Sequence, residues 1–145
     1  MTSHRIVVGV DGSAGAARAL AWAADHASRL DAEVVVVHSI DVALAMPPPT
    51  VAAPPFVIDD RVRADLRGAL DEWCAPLRDA GIPHRALLYE GNPTAAITQI
   101  ARDEHADLIV VGRRGHGGFA ELLLGSVANS LAHHATIPVV IVPAS

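Results

Sequence analysis

Four continuous apolar runs constrain this chain more than anything else in it: Arg5 to Val10 (RIVVGV), Glu33 to Ile40 (EVVVVHSI), Leu108 to Val111 (LIVV) and Val139 to Val142 (VVIV). They are β-branched without a polar alternation, and a strand with no polar face must be covered on both sides. His84 to Tyr89 reads as a further strand. Between these runs, apolar residues return at helical spacing. In Ala14 to Leu30 they are Ala17, Leu20, Ala21, Ala24, Ala27 and Leu30; in Asp60 to Ala80 they are Val62, Leu66, Ala69, Leu70, Trp73 and Leu77. Two more helices are expected from Pro93 to about His105 and from Ser126 to His134. The order βαβαβαβαβ predicts an α/β fold, a doubly wound parallel sheet with right-handed crossovers.

Punctuation supports these boundaries. Ser13 and Asn92 are placed to cap helices, Asn92 with Pro93 at the first helical position. Pro76 kinks or shortens the second helix, Gly81 stops it, and Pro138 ends the last one. Asp41 to Asp59 contains Pro47, Pro48, Pro49, Pro54 and Pro55, which forbid helix or central strand. That stretch is a loop, either a plain connection or a flap over a ligand.

At 145 residues and 51% hydrophobic composition the chain can bury one good core, so residues 1–145 are expected to form a single domain. A net charge of −5 leaves no basic stripe to select nucleic acid or an anionic membrane. No apolar segment has membrane-spanning length, and the opening MTSHRIVVGVDGS meets Asp and Gly too soon for a signal sequence, so a cytoplasmic setting is expected. Cys74 is the only cysteine, which excludes an internal disulfide or a thiolate zinc cluster and suits a small core residue. All 11 basic residues are arginine. A P-loop lysine, a Schiff-base lysine and a kinase-type lysine are therefore excluded.

In an open parallel sheet, ligands collect beyond the carboxyl ends of the strands where the strand order reverses. Two loops qualify here, Asp11-Gly12-Ser13 and the glycine-rich VVGRRGHGGFAELLLGS segment; if their strands are neighbours, Asp11 faces Gly112 across a crevice. Gly112, Gly115, Gly117 and Gly118 let the backbone curl and turn its N–H groups toward a phosphate. The amides of Ser126, Val127 and Ala128 add the positive end of a helix dipole. Gly125 allows close approach, the Ser126 hydroxyl can donate, and Arg113 and Arg114 can offset phosphate charge. His116, inside the loop, could touch phosphate. Against this stands the plainer account of a tight turn with Ser126 as an ordinary cap. Asp11 can accept ribose hydroxyls or hold magnesium through water, although Asp-Gly is also a common turn pair. Ser39, at the end of the second strand, is the residue nearest an adenine slot. His133 and His134 point about 100° apart on a helix and cannot chelate one ion.

Gly112-x-x-Gly115, nine residues, then Gly125-Ser126 resembles the nucleotide-binding signature of the universal stress protein family, in its ATP-binding branch. The opening IVVGVDGS, the VVHSI run, the DLIVVGRRG approach and the closing IPVVIV are similar to that family in order and spacing. The resemblance implies a Rossmann-like fold of the adenine nucleotide alpha hydrolase-like kind, with five parallel strands in the order 3-2-1-4-5. It implies that Gly9 and Asp11 border the nucleotide, that Ser39 follows the adenine-side strand, and that Gly112 to Gly118, Ser126 and Val127 surround the phosphates. It also implies ATP as ligand, expected together with magnesium at Asp11, and a homodimer through the last strand. Val139 to Val142 would then be an apolar edge in need of a partner.

The expected function is a nucleotide-dependent regulatory module of the stress response. No catalytic base is evident, so at most slow hydrolysis is expected. The alternatives are a slow ATP-hydrolysing or adenylate-handling enzyme, which needs an acceptor pocket with a titratable residue, and a nucleotide-free interaction protein, against which the intact motif argues.

Overall fold

The four apolar runs and the His84 segment become five strands, β1 (His4–Gly9), β2 (Ala32–Ile40), β3 (His84–Glu90), β4 (Leu108–Gly112) and β5 (Val139–Val142). In this computed structural model, which describes residues 4–41, 58–115 and 124–144, they form one parallel sheet in the order β3-β2-β1-β4-β5. β1 lies centrally, with Val7 paired to Val35 on one side and to Ile109 on the other. The proline-rich 42–57 stretch, most of the loop expected as a plain connection or a flap, and residues 116–123 lie outside the described residues.

The helices are α1 (Ala14–Leu30), α2 (Asp60–Trp73), α3 (Ala75–Asp79), α4 (Pro93–Asp103) and α5 (Ser126–His134). Ile6, Val8, Val34, Val36 and Val110 point to one face, under α1, α2 and α3. Val7, Val35, Val37, Ile109 and Val111 point to the other, under α4 and α5. Both faces are dry, which is why these strands need no polar alternation; each fully buried Val or Ile contributes roughly 1.5–3 kcal/mol. The outer strand β3 differs, with no residue fully buried, because only one neighbour covers it.

The capping expectations hold: Ser13 Oγ accepts from the Ala16 N–H at 3.1 Å and Asn92 Oδ1 from the Ala95 N–H at 3.0 Å. The expected 60–80 helix breaks at Cys74 into α2 and α3, since Pro76 has no N–H to continue the ladder. Gly81, at φ +68°, ends α3. Cys74 is buried, which pushes its thiol pKa up.

The buried face of α1 differs from the expected one. Ala16, Ala19, Leu20, Ala23, Ala24 and Ala27 face the sheet, whereas Ala17 and Ala21 are exposed and Leu30 is 47% exposed. Alanine fills eight of the 17 positions, so the sequence offers little contrast to choose the face. Backbone approach to the sheet chose it instead.

α2 is held lightly, with Leu70 its only fully buried side chain. Gly68 lies exposed within it, and a Cβ there would meet nothing within 4 Å. Gly68→Ala should therefore raise stability by about 0.5–1 kcal/mol. The check is a higher urea midpoint at unchanged slope.

An ion-pair ring closes the opposite end of the sheet. Arg85 donates to Glu33 at 2.7 Å and to Glu104 at 2.6 Å, and Arg5 lies 3.4 Å from Glu104. The Arg85 hydrogen bond holds the Glu104 carboxyl below its ordinary pKa. Its contribution is thus present above the ordinary carboxylate range and fades as pH falls through the lowered value.

Candidate nucleotide site

The adjacency of β1 and β4 brings the Asp11 turn and the glycine loop to one place. Beyond β1, the Val10 N–H donates to Val37 O at 2.9 Å, and Gly12 then turns the chain at φ +82°. Asp11 Oδ1 accepts the Ser13 N–H at 3.0 Å, so the carboxylate is braced by the turn that starts α1. Beyond β4, the Arg113 N–H donates to Val142 O at 2.8 Å. A Cβ at Gly115 would come 3.1 Å from Asp11 Cγ and closer still to Oδ2. The two loops are in contact.

Several glycines of the motif sit at close approaches within the protein. A Cβ at Gly112 would lie 2.7 Å from both the carbonyl carbon and the oxygen of Gly15, and one at Gly15 would strike the Arg114 carbonyl oxygen. The first turn of α1 thus rests backbone to backbone on the start of the loop. A Cβ at Gly9 would meet Ile97 Cδ1 at 2.5 Å. Gly15 was not singled out from the sequence; its only signal is a glycine in the first turn of an alanine helix.

The loop returns at Gly125, whose N–H donates to Arg113 O at 2.7 Å. A Cβ on Gly125 would lie 3.2 Å from Arg114 Cα and 3.5 Å from Gly115 N, so the start of α5 packs directly over residues 113–115. α1, α2 and α4 are each capped by a side chain, from Ser13, Asp59 and Asn92. α5 has Gly125 there and no side-chain cap. The first-turn amides of Ser126, Val127 and Ala128 therefore lie outside the helix's own hydrogen bonding, beside the Gly115 backbone. Ser126 is exposed and Val127 half-buried.

Arg114 lies half-buried in the same loop, and its Nε is buried without a hydrogen-bond partner among the described residues. A buried guanidinium N–H without a partner favours an anion within its reach. Ser39 sits at the end of β2, but its hydroxyl donates to Gly91 O at 2.7 Å and ties β2 to β3. His116, Gly117 and Gly118 lie outside the described residues. Two neighbours of the Asp11 turn had no signal in the sequence: Trp73 packs against Gly12, and the His38 Nδ1–H donates to Val10 O at 2.9 Å.

A sequence profile of the universal stress protein family matches residues 2–143. A Thermus aquaticus protein, described as a universal stress protein in the QAH/OAS sulfhydrylase 3′ region, is 36% identical over 138 residues, covering 94% of this chain and 96% of that one. Some relatives are longer, and the chain spans 48% of a Mycolicibacterium smegmatis universal stress protein. A crystal structure of a universal stress protein in complex with cAMP superposes with a TM-score of 0.74 at 26% identity, covering all of both chains. The Archaeoglobus fulgidus universal stress protein in complex with dAMP gives a TM-score of 0.68 at 25% identity, covering 97% and 98%. With the strand order and a sequence match along almost its whole length in agreement, the chain belongs to the universal stress protein family.

Proposed function

We propose that residues 1–145 form one domain of a cytoplasmic protein and bind an adenine nucleotide, ATP with magnesium, between the Asp11 turn and the glycine loop. It acts as a regulatory module of the stress response. The observation that carries this reading is the uncapped start of α5 packed over residues 113–115, in a loop that touches Asp11. The intact Gly112-x-x-Gly115-x9-Gly125-Ser126 spacing and the cAMP and dAMP held by related structures support it.

On this reading the amides of Gly115, Ser126 and Val127 bind the phosphates, with Gly117, Gly118 and His116 completing the loop around them. Arg113 and Arg114 offset the charge. Asp11 takes the ribose hydroxyls or, through water, the magnesium ion, while Gly9 and Ser39 border the nucleoside. The residues present fit such a ligand: magnesium bound with phosphates needs only one or two protein carboxylates. Bound there, the ion would neutralise phosphate charge. Asp11, with Oδ1 accepting from Ser13, orients a ligand rather than removing a proton from it. Regulation is proposed to pass through a homodimer formed on β5, where Val139, Val140 and Ile141 are half-buried on the sheet edge.

Calorimetric titration with ATP and magnesium tests the reading, together with a multiple-turnover ATPase assay. Saturable binding is expected, with hydrolysis far below ordinary enzyme rates of about 1–1,000 per second. Asp11→Ala should weaken binding by about tenfold, the loss of one good polar contact. Turnover at ordinary rates that Asp11→Ala removes would show an enzyme instead.

A further inference from the structure

Resting on the nucleotide crevice just described, the geometry points to Trp73 as the positioning residue of the Asp11 turn, so that nucleotide affinity depends on how α2 is seated. Trp73 is the last residue of α2 and lies far from Asp11 in sequence, yet its indole fills the space where a Gly12 side chain would stand. A Cβ on Gly12 would lie 2.5 Å from Trp73 Cζ2 and 3.0 Å from Cη2. The indole also meets the His38 ring edge to face, with centroids 5.1 Å apart and planes at 87°. His38 in turn donates from Nδ1 to Val10 O. Because a carbonyl only accepts, Nδ1 carries the proton.

Trp73 is thus wedged against both sides of Asp11: directly on Gly12 and, through His38, on Val10. The Gly12 φ of +82° is open to glycine but is one of several conformations a free Asp-Gly turn can take. A rigid aromatic surface against it selects this one. The same turn aims the Asp11 carboxylate at Gly115 and lets it hold the Ser13 N–H. Preorganisation of that kind lowers the cost of binding.

The placement also gives the crevice a link to a lightly held element. α2 buries only Leu70 fully, and Val62, Leu66, Ala69 and Trp73 are half-buried. Anything that shifts the end of α2 moves Trp73, and anything that seats the turn holds Trp73 in place.

The experiment compares the intact chain with Trp73→Phe and Trp73→Ala by nuclear magnetic resonance and ATP titration. Without nucleotide, the Ser13 amide proton should lose the downfield shift of its carboxylate hydrogen bond in Trp73→Ala and keep most of it in Trp73→Phe. Core amides such as Val35 should stay in place. With ATP and magnesium, Trp73→Ala should bind about tenfold more weakly and Trp73→Phe within about threefold of the parent. In the unaltered chain, saturating ATP should move the Trp73 indole N–H signal and leave that of Trp22, stacked on His26 in α1, unmoved. A Ser13 amide unaffected by Trp73→Ala, or an ATP affinity unchanged by it, overturns the proposal. So does an indole signal of Trp73 that ignores bound nucleotide, a readout that survives even if Trp73→Ala does not fold. Absence of ATP binding by the unaltered chain would instead refute the nucleotide reading, and the Ser13 shift would still decide what Trp73 does to the turn.

Discussion

Valine at Gly115 should abolish adenine-nucleotide binding in a protein that remains folded. Gly115 is exposed and its φ lies outside the left-handed region, so the backbone tolerates a side chain. The cost falls on the site. The first carbon of the new side chain would overlap Asp11 Oδ2, and Asp11 is braced by the Ser13 N–H at 3.0 Å. Either the carboxylate swings away or the loop lifts from the start of α5. Both outcomes separate the groups proposed to hold ribose, magnesium and phosphate. A loss of about a hundredfold or more in affinity is expected, equivalent to roughly 2.7 kcal/mol. The thermal midpoint should move by no more than about 2 °C, as for most exposed substitutions. Titration calorimetry with ATP and a thermal melt on the same sample check both halves. Undiminished binding would mean that the ligand sits elsewhere.

The same substitution three residues earlier should have the opposite profile. At Gly112→Val the obstacle is the backbone of Gly15, 2.7 Å from the position of the new Cβ, which cannot retreat unless α1 lifts from the sheet. α1 contributes Ala16, Ala19, Leu20, Ala23, Ala24 and Ala27 to the larger of the two buried clusters, so lifting it opens that core. Overpacking costs about 1–3 kcal/mol where side chains can adjust, and the upper end or beyond is expected where only backbone can. A loss of about 3 kcal/mol should lower the midpoint by roughly 10 °C. Urea and thermal unfolding of Gly112→Val test this. A midpoint equal to the parent's would show that the α1–loop contact is loose.

The contrast between these glycines shows what the sequence could and could not reveal. Gly112 and Gly115 belong to one spacing motif and are chemically identical, but one abuts a helix backbone and the other a carboxylate. Nothing in a linear pattern separates a glycine that abuts a carboxylate from one that admits a neighbouring helix. The partner residues, Gly15 and Asp11, come from 97 and 104 positions away. The face of α1 was hidden for a related reason: alanines at 16, 17, 19, 21 and 23 look equally fit for burial, and the approach of the sheet decided among them.

Local chemistry, by contrast, was legible. Uninterrupted β-branched runs marked four of the five strands, Ser13 and Asn92 marked two helix starts, and Pro76 marked the break after α2, because each acts through its own dihedral angles or its nearest amides. Trp73 lies at the other extreme. Its helical spacing placed it on an apolar face, and only the fold set its indole against Gly12 and His38. The sequence by itself determined which segments are strands and helices, since those preferences are settled within a few bonds. Tertiary structure alone decided which glycines touch which backbones and which aromatic ring packs against Gly12, because such contacts exist only once distant segments pack.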